Sequence, residues 1–370
     1  MENAKLLYTW NSSIIDQWIL KIIVINDDIF IVSTSNGYII GYHLTSFAQL
    51  FKIKAHDSCI NDMIELKNNK IATCSIDGVK IWDIKEEKLL QILTNSKNST
   101  FLSLAFNNNL LASGTELVGQ DAELHIWDTT TYTLKRSFID SHRDDITSIQ
   151  FHPILKNYLM SGSTDGYVNI YNLNEIDEDD ALHQVINFNS VHSCHFSNMN
   201  RISILSHMET FIIHDLNDTN YEDENQGKFI EFGDLRNKWE NCKYVITIDP
   251  KGFVAYGSNN ESKLSLIPFN PKKEKFKVDK IVHFPEAHGE EVVRDLKLVG
   301  NDKVLTCGED GSIKLWQLPN KLKTYSLAED VEDVDMEDCE LSIPKVEKSK
   351  KDKSRSKHKS KKKDRKFKPY

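Results

Sequence analysis

Apolar and polar residues alternate one by one along short runs of this chain, and tight-turn residues separate the runs. A period of two marks half-buried β-strands rather than helices. The clearest runs share one phrase: a small hydroxyl residue, a turn pair, then alternating apolar residues ending on an aromatic. It reads Thr73-CSIDGVKIWD-Ile84, Ser161-GSTDGYVNIYN-Leu173 and Thr306-CGEDGSIKLWQ-Leu318, with a weaker copy in Ser33-TSNGYIIGYH-Leu44. The turn pairs Asn36-Gly37, Asp77-Gly78, Asp165-Gly166 and Asp310-Gly311 predict hairpins, because both members tolerate positive φ. A second phrase precedes three of these units. It is a small residue, His, three residues and then Ile or Val: Ala55-His56 to Ile60, Ser141-His142 to Ile146, Ala287-His288 to Val292.

The hairpins end near Tyr42, Trp82, Trp127, Tyr171, His214, Ile267 and Trp316, at spacings of 40, 45, 44, 43, 53 and 49 residues. A repeat of about 40–50 residues holding four short strands predicts a β-propeller. The third, fifth and sixth units are degenerate but still alternate, as in 101–106, 202–207 and 253–258. The Trp-Asp pairs Trp82-Asp83 and Trp127-Asp128, with drifted counterparts Tyr171-Asn172, His214-Asp215 and Trp316-Gln317, make residues 6–318 resemble the WD-repeat family. In the middle, Gly114-Thr115-Glu116, the runs 121–128, 141–153 and 161–173, the acidic insert 178–182 and Asn189-Ser190-Val191 follow in order. That stretch resembles the family of WD repeat-containing protein 89.

The expected fold is therefore all-β: a seven-bladed WD40 β-propeller over 1–320, with blades ending near 44, 84, 129, 173, 216, 269 and 318. Only three clear strands stand in 288–318. Residues 5–10 are expected to supply the fourth, closing the ring and removing two raw sheet edges.

Charge changes the picture at the C-terminal end. The 370 residues carry a formal charge of −9. Residues 1–320 hold 30 basic and 44 acidic residues, 321–344 hold 2 and 8, and 345–370 hold 14 and 3. An acidic body thus precedes an acidic linker at 321–344, expected to be disordered, and a Lys-rich tail at 345–370. The first residues lack a signal-peptide pattern, and no run approaches the ~20 apolar residues of a membrane span. The six cysteines are scattered and without CxxC, so they read as reduced thiols.

Candidate chemistry starts with recurring sets: His56, Thr73, Asp77 and Trp82; His142, Ser161, Asp165 and Tyr171; His288, Thr306, Asp310 and Trp316. Hydroxyl, imidazole and carboxylate invite a hydrolase reading. Three copies at the repeat period argue instead for a structural hydrogen-bond chain, which is also what the WD-repeat resemblance implies. Ser75-Ile76-Asp77-Gly78 and Ser163-Thr164-Asp165-Gly166 are poor matches to a sialidase Asp box, which has a residue between Asp and Gly. His192, Cys194 and His195 alternate across a strand with no second ligand pair, so neither metal nor cofactor is expected. Acidic loops at 175–180 and 221–224 are solvated loops or docking points for a basic partner.

The expected role is a non-catalytic protein-interaction scaffold, monomeric, away from membranes. It would be nuclear or nucleolar with a cytoplasmic pool, binding basic or peptide partners of unknown identity. Ile76, Asp144, Thr164, Glu290 and Glu309 are the expected contacts. Lys350, Lys351, Lys353, Arg355, Lys361, Lys362, Lys363, Arg365 and Lys366 form the expected import signal. The alternative is an RNA-associated ribosome-biogenesis or chromatin factor, its tail making weak, salt-dependent phosphate contacts. A further alternative is a ubiquitin-ligase substrate receptor. Here Trp82-Asp83-Ile84-Lys85 and Trp127-Asp128-Thr129-Thr130 lack the arginine that some such receptors carry.

Overall fold

The computed structural model describes residues 2–11, 17–26, 28–198, 200–217, 229–258 and 263–326. Seven antiparallel sheets stand in a ring as a seven-bladed β-propeller. Their innermost strands are Ile19–Ile25, Asp62–Glu65, Phe101–Asn107, Ile146–Phe151, Val191–Asn198, Tyr244–Asp249 and Val293–Val299. Each blade is covered on both faces by its neighbours, so its middle strands are buried nearly throughout, as in Tyr158–Ser163. The core is accordingly divided into seven apolar clusters, one in each gap between adjacent blades. This is the packing of a repeat protein, in which each unit is stabilised by its two neighbours.

The ring is closed by the strand Lys5–Asn11, which pairs antiparallel with Ser312–Gln317 and sets Leu6 opposite Trp316 and Trp10 opposite Ile313. Just before it, Glu2–Asn3 pairs in parallel with Val282–Pro285, the outer strand of blade six. One segment therefore spans two blades. After the last strand the chain turns back under the ring. The Leu322 N–H donates to Asn301 O at 2.6 Å and the Tyr325 N–H to Lys251 O at 2.9 Å, which carries it from blade seven to blade six.

Six innermost strands show a register shift near their start, for example between Ile19 and Lys21 and between Val293 and Asp295. The residue past each shift is polar: Lys21, Ser103, Ser148, Ser193, Thr247 and Asp295, with Asp62 in that place in blade two. Several of these groups stitch neighbouring blades. The Asp62 carboxylate pairs with Lys21 of blade one and accepts from the Leu104 N–H of blade three at 2.8 Å. Asp295 accepts from the Ile22 N–H at 2.8 Å. The Ser103 hydroxyl donates to Ile146 O at 2.7 Å. The remaining junctions use Gln150 with the Phe196 N–H, Glu209 with the Val245 N–H, and Tyr244 with the Val293 N–H.

Candidate functional site

The three sets come together in blades two, four and seven, each at the turn end of its hairpin. In blade seven the Trp316 Nε1–H donates to Thr306 Oγ1 at 3.1 Å, and Thr306 lies 2.8 Å from His288 Nε2. His288 Nδ1 lies 2.8 Å from Asp310 Oδ1, and the Ser312 hydroxyl donates to Asp310 Oδ2 at 2.5 Å. In blade two the Trp82 Nε1–H donates to Thr73 Oγ1 at 3.1 Å, Thr73 meets His56 Nε2 at 2.7 Å, and His56 Nδ1 meets Asp77. The Lys80 ammonium adds itself to Asp77 at 2.6 Å and to Ala55 O at 2.9 Å. In blade four Ser161 lies 2.7 Å from His142 Nε2, and His142 Nδ1 lies 3.0 Å from Asp165. There a phenol replaces the indole: the Ser161 hydroxyl lies 3.3 Å from Tyr171 OH, and the Asn169 amide supports it at 3.4 Å.

In blades two and seven the indole donates to the hydroxyl, the hydroxyl to Nε2 and the Nδ1–H to the carboxylate, whereas in blade four the Ser161 hydroxyl donates to Tyr171 OH. Burial pushes the His56 imidazole down, and Asp77 only partly opposes it. Burial would raise the Asp77 carboxyl, but Lys80 and His56 outweigh it and hold it below its ordinary value. Burial would likewise raise the Asp165 carboxyl, but His142 and the Arg143 and Tyr167 N–H groups outweigh it and hold the carboxyl below its ordinary value. Thr73, Ser161 and Thr306 have 0 % exposure. All three hydroxyls are sealed from solvent inside the hydrogen-bond chain. That chain ties a blade's hairpin to the connection entering that blade.

Blade three is built differently. The Trp127 Nε1–H donates to Ser113 at 2.9 Å, but no imidazole continues the chain. His125 instead lies 2.7 Å from Ser137 and 3.0 Å from Glu123, whose carboxylate also meets Lys97 at 3.1 Å. Sequence reading missed this pair. Its signal was the alternation 122–128, which puts His125 two residues before the indole.

The expected contact residues all lie at the hairpin-turn end of the blades. Ile76 is 60 % exposed, and Glu290 is exposed beside the buried His288. Asp144 and Thr164 are half-buried, with the Thr164 N–H tied to Asp145 O at 3.0 Å. Glu309 is paired with Arg294, whose guanidinium lies 5.7 Å from the centre of the Trp18 ring. Trp18, 42 % exposed, and Met208, 59 % exposed, share this end of the molecule. They were missed because both fall in connections, where no periodicity marks them.

Elsewhere the outcomes are mixed. In the acidic stretch 175–180, Glu178 accepts from the Ile139 and Asp140 N–H groups at 3.0 and 3.1 Å, and Arg136 donates to Asp177 O at 2.9 Å. Part of that stretch is thereby committed to blade three. The acidic loop 221–224, the linker from 327 and the import residues from Lys350 to Lys366 lie outside the described residues. Cys194 is buried, and His192 stacks edge-on against His207 with ring centres 5.3 Å apart. Burial holds the His195 imidazole down at about 4, opposed by Asp249 and assisted by Lys297 and Lys21. Those three groups stand on the innermost strands of three other blades, so His195 faces the central channel. Among the described residues no group of three or more His, Cys, Asp or Glu is placed to hold a metal.

Comparison with known proteins agrees with the architecture. Residues 132–172 and 279–317 match the repeat described as "WD domain, G-beta repeat". The chain is 42 % identical over 312 residues to an uncharacterized WD repeat-containing protein of Saccharomyces cerevisiae, covering 82 % of this chain and 79 % of the relative. It is 30 % identical over 311 residues to an uncharacterized WD repeat-containing protein of Schizosaccharomyces pombe, covering 79 % and 92 %. It is also 36 % identical over 155 residues to the WD repeat-containing protein 89 homolog of Dictyostelium discoideum, covering 41 % of each chain.

Proposed function

The chain belongs to the family of WD repeat-containing proteins, and from that premise we propose that it is a non-catalytic nuclear interaction scaffold. On this reading it takes a basic, partly apolar peptide or domain on the hairpin-turn face. The observation that carries the reading is the pairing of exposed apolar anchors with acidic neighbours at one end of the ring. Ile76 and Trp18 offer apolar area at the hairpin-turn end, and Asp57, Asp144, Glu290 and Glu291 bring negative charge to the same end. An exposed apolar patch rimmed by charge is the composition of a binding surface. The carboxylates favour a cationic partner and reject an anionic one. The loops that carry Asp57, Ile76, Asp144 and Glu290 stand over the buried hydrogen-bond chains of blades two, four and seven. Nuclear location is supported by the Lys-rich run that ends the chain.

The test compares the full chain with I76D and E290K on this face and with I92D on the outer strand of blade two. A partner of the turn face is captured by the full chain and by I92D and is lost by I76D and E290K. Equal capture by all four proteins rejects the assignment of the face. Deleting 345–370 should move the protein from the nucleus to the cytoplasm, and unchanged nuclear enrichment rejects the import reading.

A further inference from the structure

The body of the protein is acidic, yet one sector is strongly basic. Residues 272–280 of blade six read KKEKFKVDK, five lysines against two acids. Glu274 is already taken by Arg201, with which it pairs at 2.6 Å. Lys275 and Phe276 form a short extra strand against Phe269 and Asn270, which fixes the lysines on the outer rim of the blade. Lys277 and Lys280 then line a groove of about 410 Å³ together with Lys321, Leu322 and Lys323, four lysines against the two carboxylates of Glu2 and Asp279. Lys275, Lys277, Lys280 and Lys321 enter no salt bridge among the described residues. Val278, 55 % exposed, gives the rim an apolar spot.

The chain itself leads to this rim. The backbone crosses from blade seven to blade six, is tied by the Tyr325 N–H to Lys251, and leaves the described residues at Ser326 beside Pro271 and Lys272. Three residues later the sequence reads EDVEDVDMEDCE over 329–340, eight acids with Val331, Val334 and Met336 between them. We propose that the groove and lysine rim of blade six are the docking surface for the chain's own acidic segment 329–340. Exposed ion pairs are individually weak. The short tether from Tyr325 makes the association intramolecular, and so raises the effective concentration to the millimolar range. Docking satisfies a basic sector that an acidic body would otherwise leave facing solvent, and it keeps the acids away from the Lys-rich run 345–368. That run then remains available to other partners.

The test is zero-length carbodiimide coupling of the full chain, prepared as an equal mixture of light and heavy-isotope protein and read by mass spectrometry. The expected result is amide links within one chain from the acids of 329–340 to Lys275, Lys277, Lys280 and Lys323. They should fall about tenfold at 1 M salt, where the Debye length is only about 3 Å. They should also fall in the triple variant K275E/K277E/K280E. A second full-length protein, with the eight acids of 329–340 changed to their amides, should show faster acetylation of Lys277 and Lys280 and an unchanged melting temperature. Links that run chiefly to 345–368, links that join light to heavy chains, or acetylation rates that slow only when poly(U) RNA is added would each overturn the proposal.

Discussion

Asp62 bonds to both neighbouring blades, and its removal gives a sharp test of how the blades are held. It is 8 % exposed and serves three blades. One carboxylate oxygen accepts from its neighbour, the Met63 N–H, at 2.7 Å and pairs with Lys21. The other accepts from the Leu104 N–H at 2.8 Å. Asp62→Ala strands two buried amides, each costing about 1–3 kcal/mol, so the expected loss is about 4 kcal/mol. Asp62→Asn keeps the volume and one acceptor, and loses one hydrogen bond to a charged group, about 1.5–3 kcal/mol. Lys21→Met removes only the ion pair, whose ammonium is about one-third exposed, so it costs least. Urea unfolding of the three variants should give the order D62A, D62N, K21M. The total stability of a domain is about 5–15 kcal/mol, so the first should be visibly crippled. If K21M costs as much as D62A, the ion pair and not the backbone amides holds the junction. If D62A costs under about 1 kcal/mol, the stitching does not carry the ring at all.

Three further outcomes follow from the same geometry. Trp316→Ala should lower the melting temperature more than Trp127→Ala, because Thr306 and His288 are left with a broken chain while Ser113 ends a short one; equal shifts contradict this. Deleting residues 1–12 exposes the edge of Ser312–Gln317, so the shortened protein should melt lower and associate in light scattering, and a monomer of unchanged stability contradicts closure. Acid should weaken the fold before the carboxylates titrate. His56, His125 and His195 all sit below the ordinary value of 6.5, so the unfolded chain takes up protons first. Their contribution is complete above pH 6.5 and fades below it; for His195 the loss runs down toward about pH 4, and His195→Gln should flatten that slope in thermal melts between pH 7.5 and 4.5.

The blades were legible because their alternation and Asp-Gly turns are local. Thr73 to Trp82 contains a whole hairpin, and Gly78 adopts φ +108° as that turn demands. The ties were legible for the same reason, since His56 precedes its hydroxyl by only 17 residues. The stitches between blades were not. Asp62 and Asp295 read as ordinary polar residues of a strand, and their partners Leu104 and Ile22 are backbone amides 42 and 273 residues away. No side-chain pattern announces a backbone donor. The basic rim of blade six was overlooked for another reason: net charge over 1–320 averages it away, and only the fold sets 272–280 beside Lys321 and Lys323.

The bond between Lys5–Asn11 and Ser312–Gln317 also imposes an order on biosynthesis. The first of these strands leaves the ribosome early and must wait for a mate made some 300 residues afterwards. At about 5–20 residues per second that delay is about 15–60 s. Throughout it Leu6, Leu7, Tyr8 and Trp10 travel with the nascent chain as a greasy, half-satisfied ribbon. Such a ribbon is what a holding chaperone grips, so the step most exposed to failure in making this propeller is the meeting of Lys5–Asn11 with Ser312–Gln317.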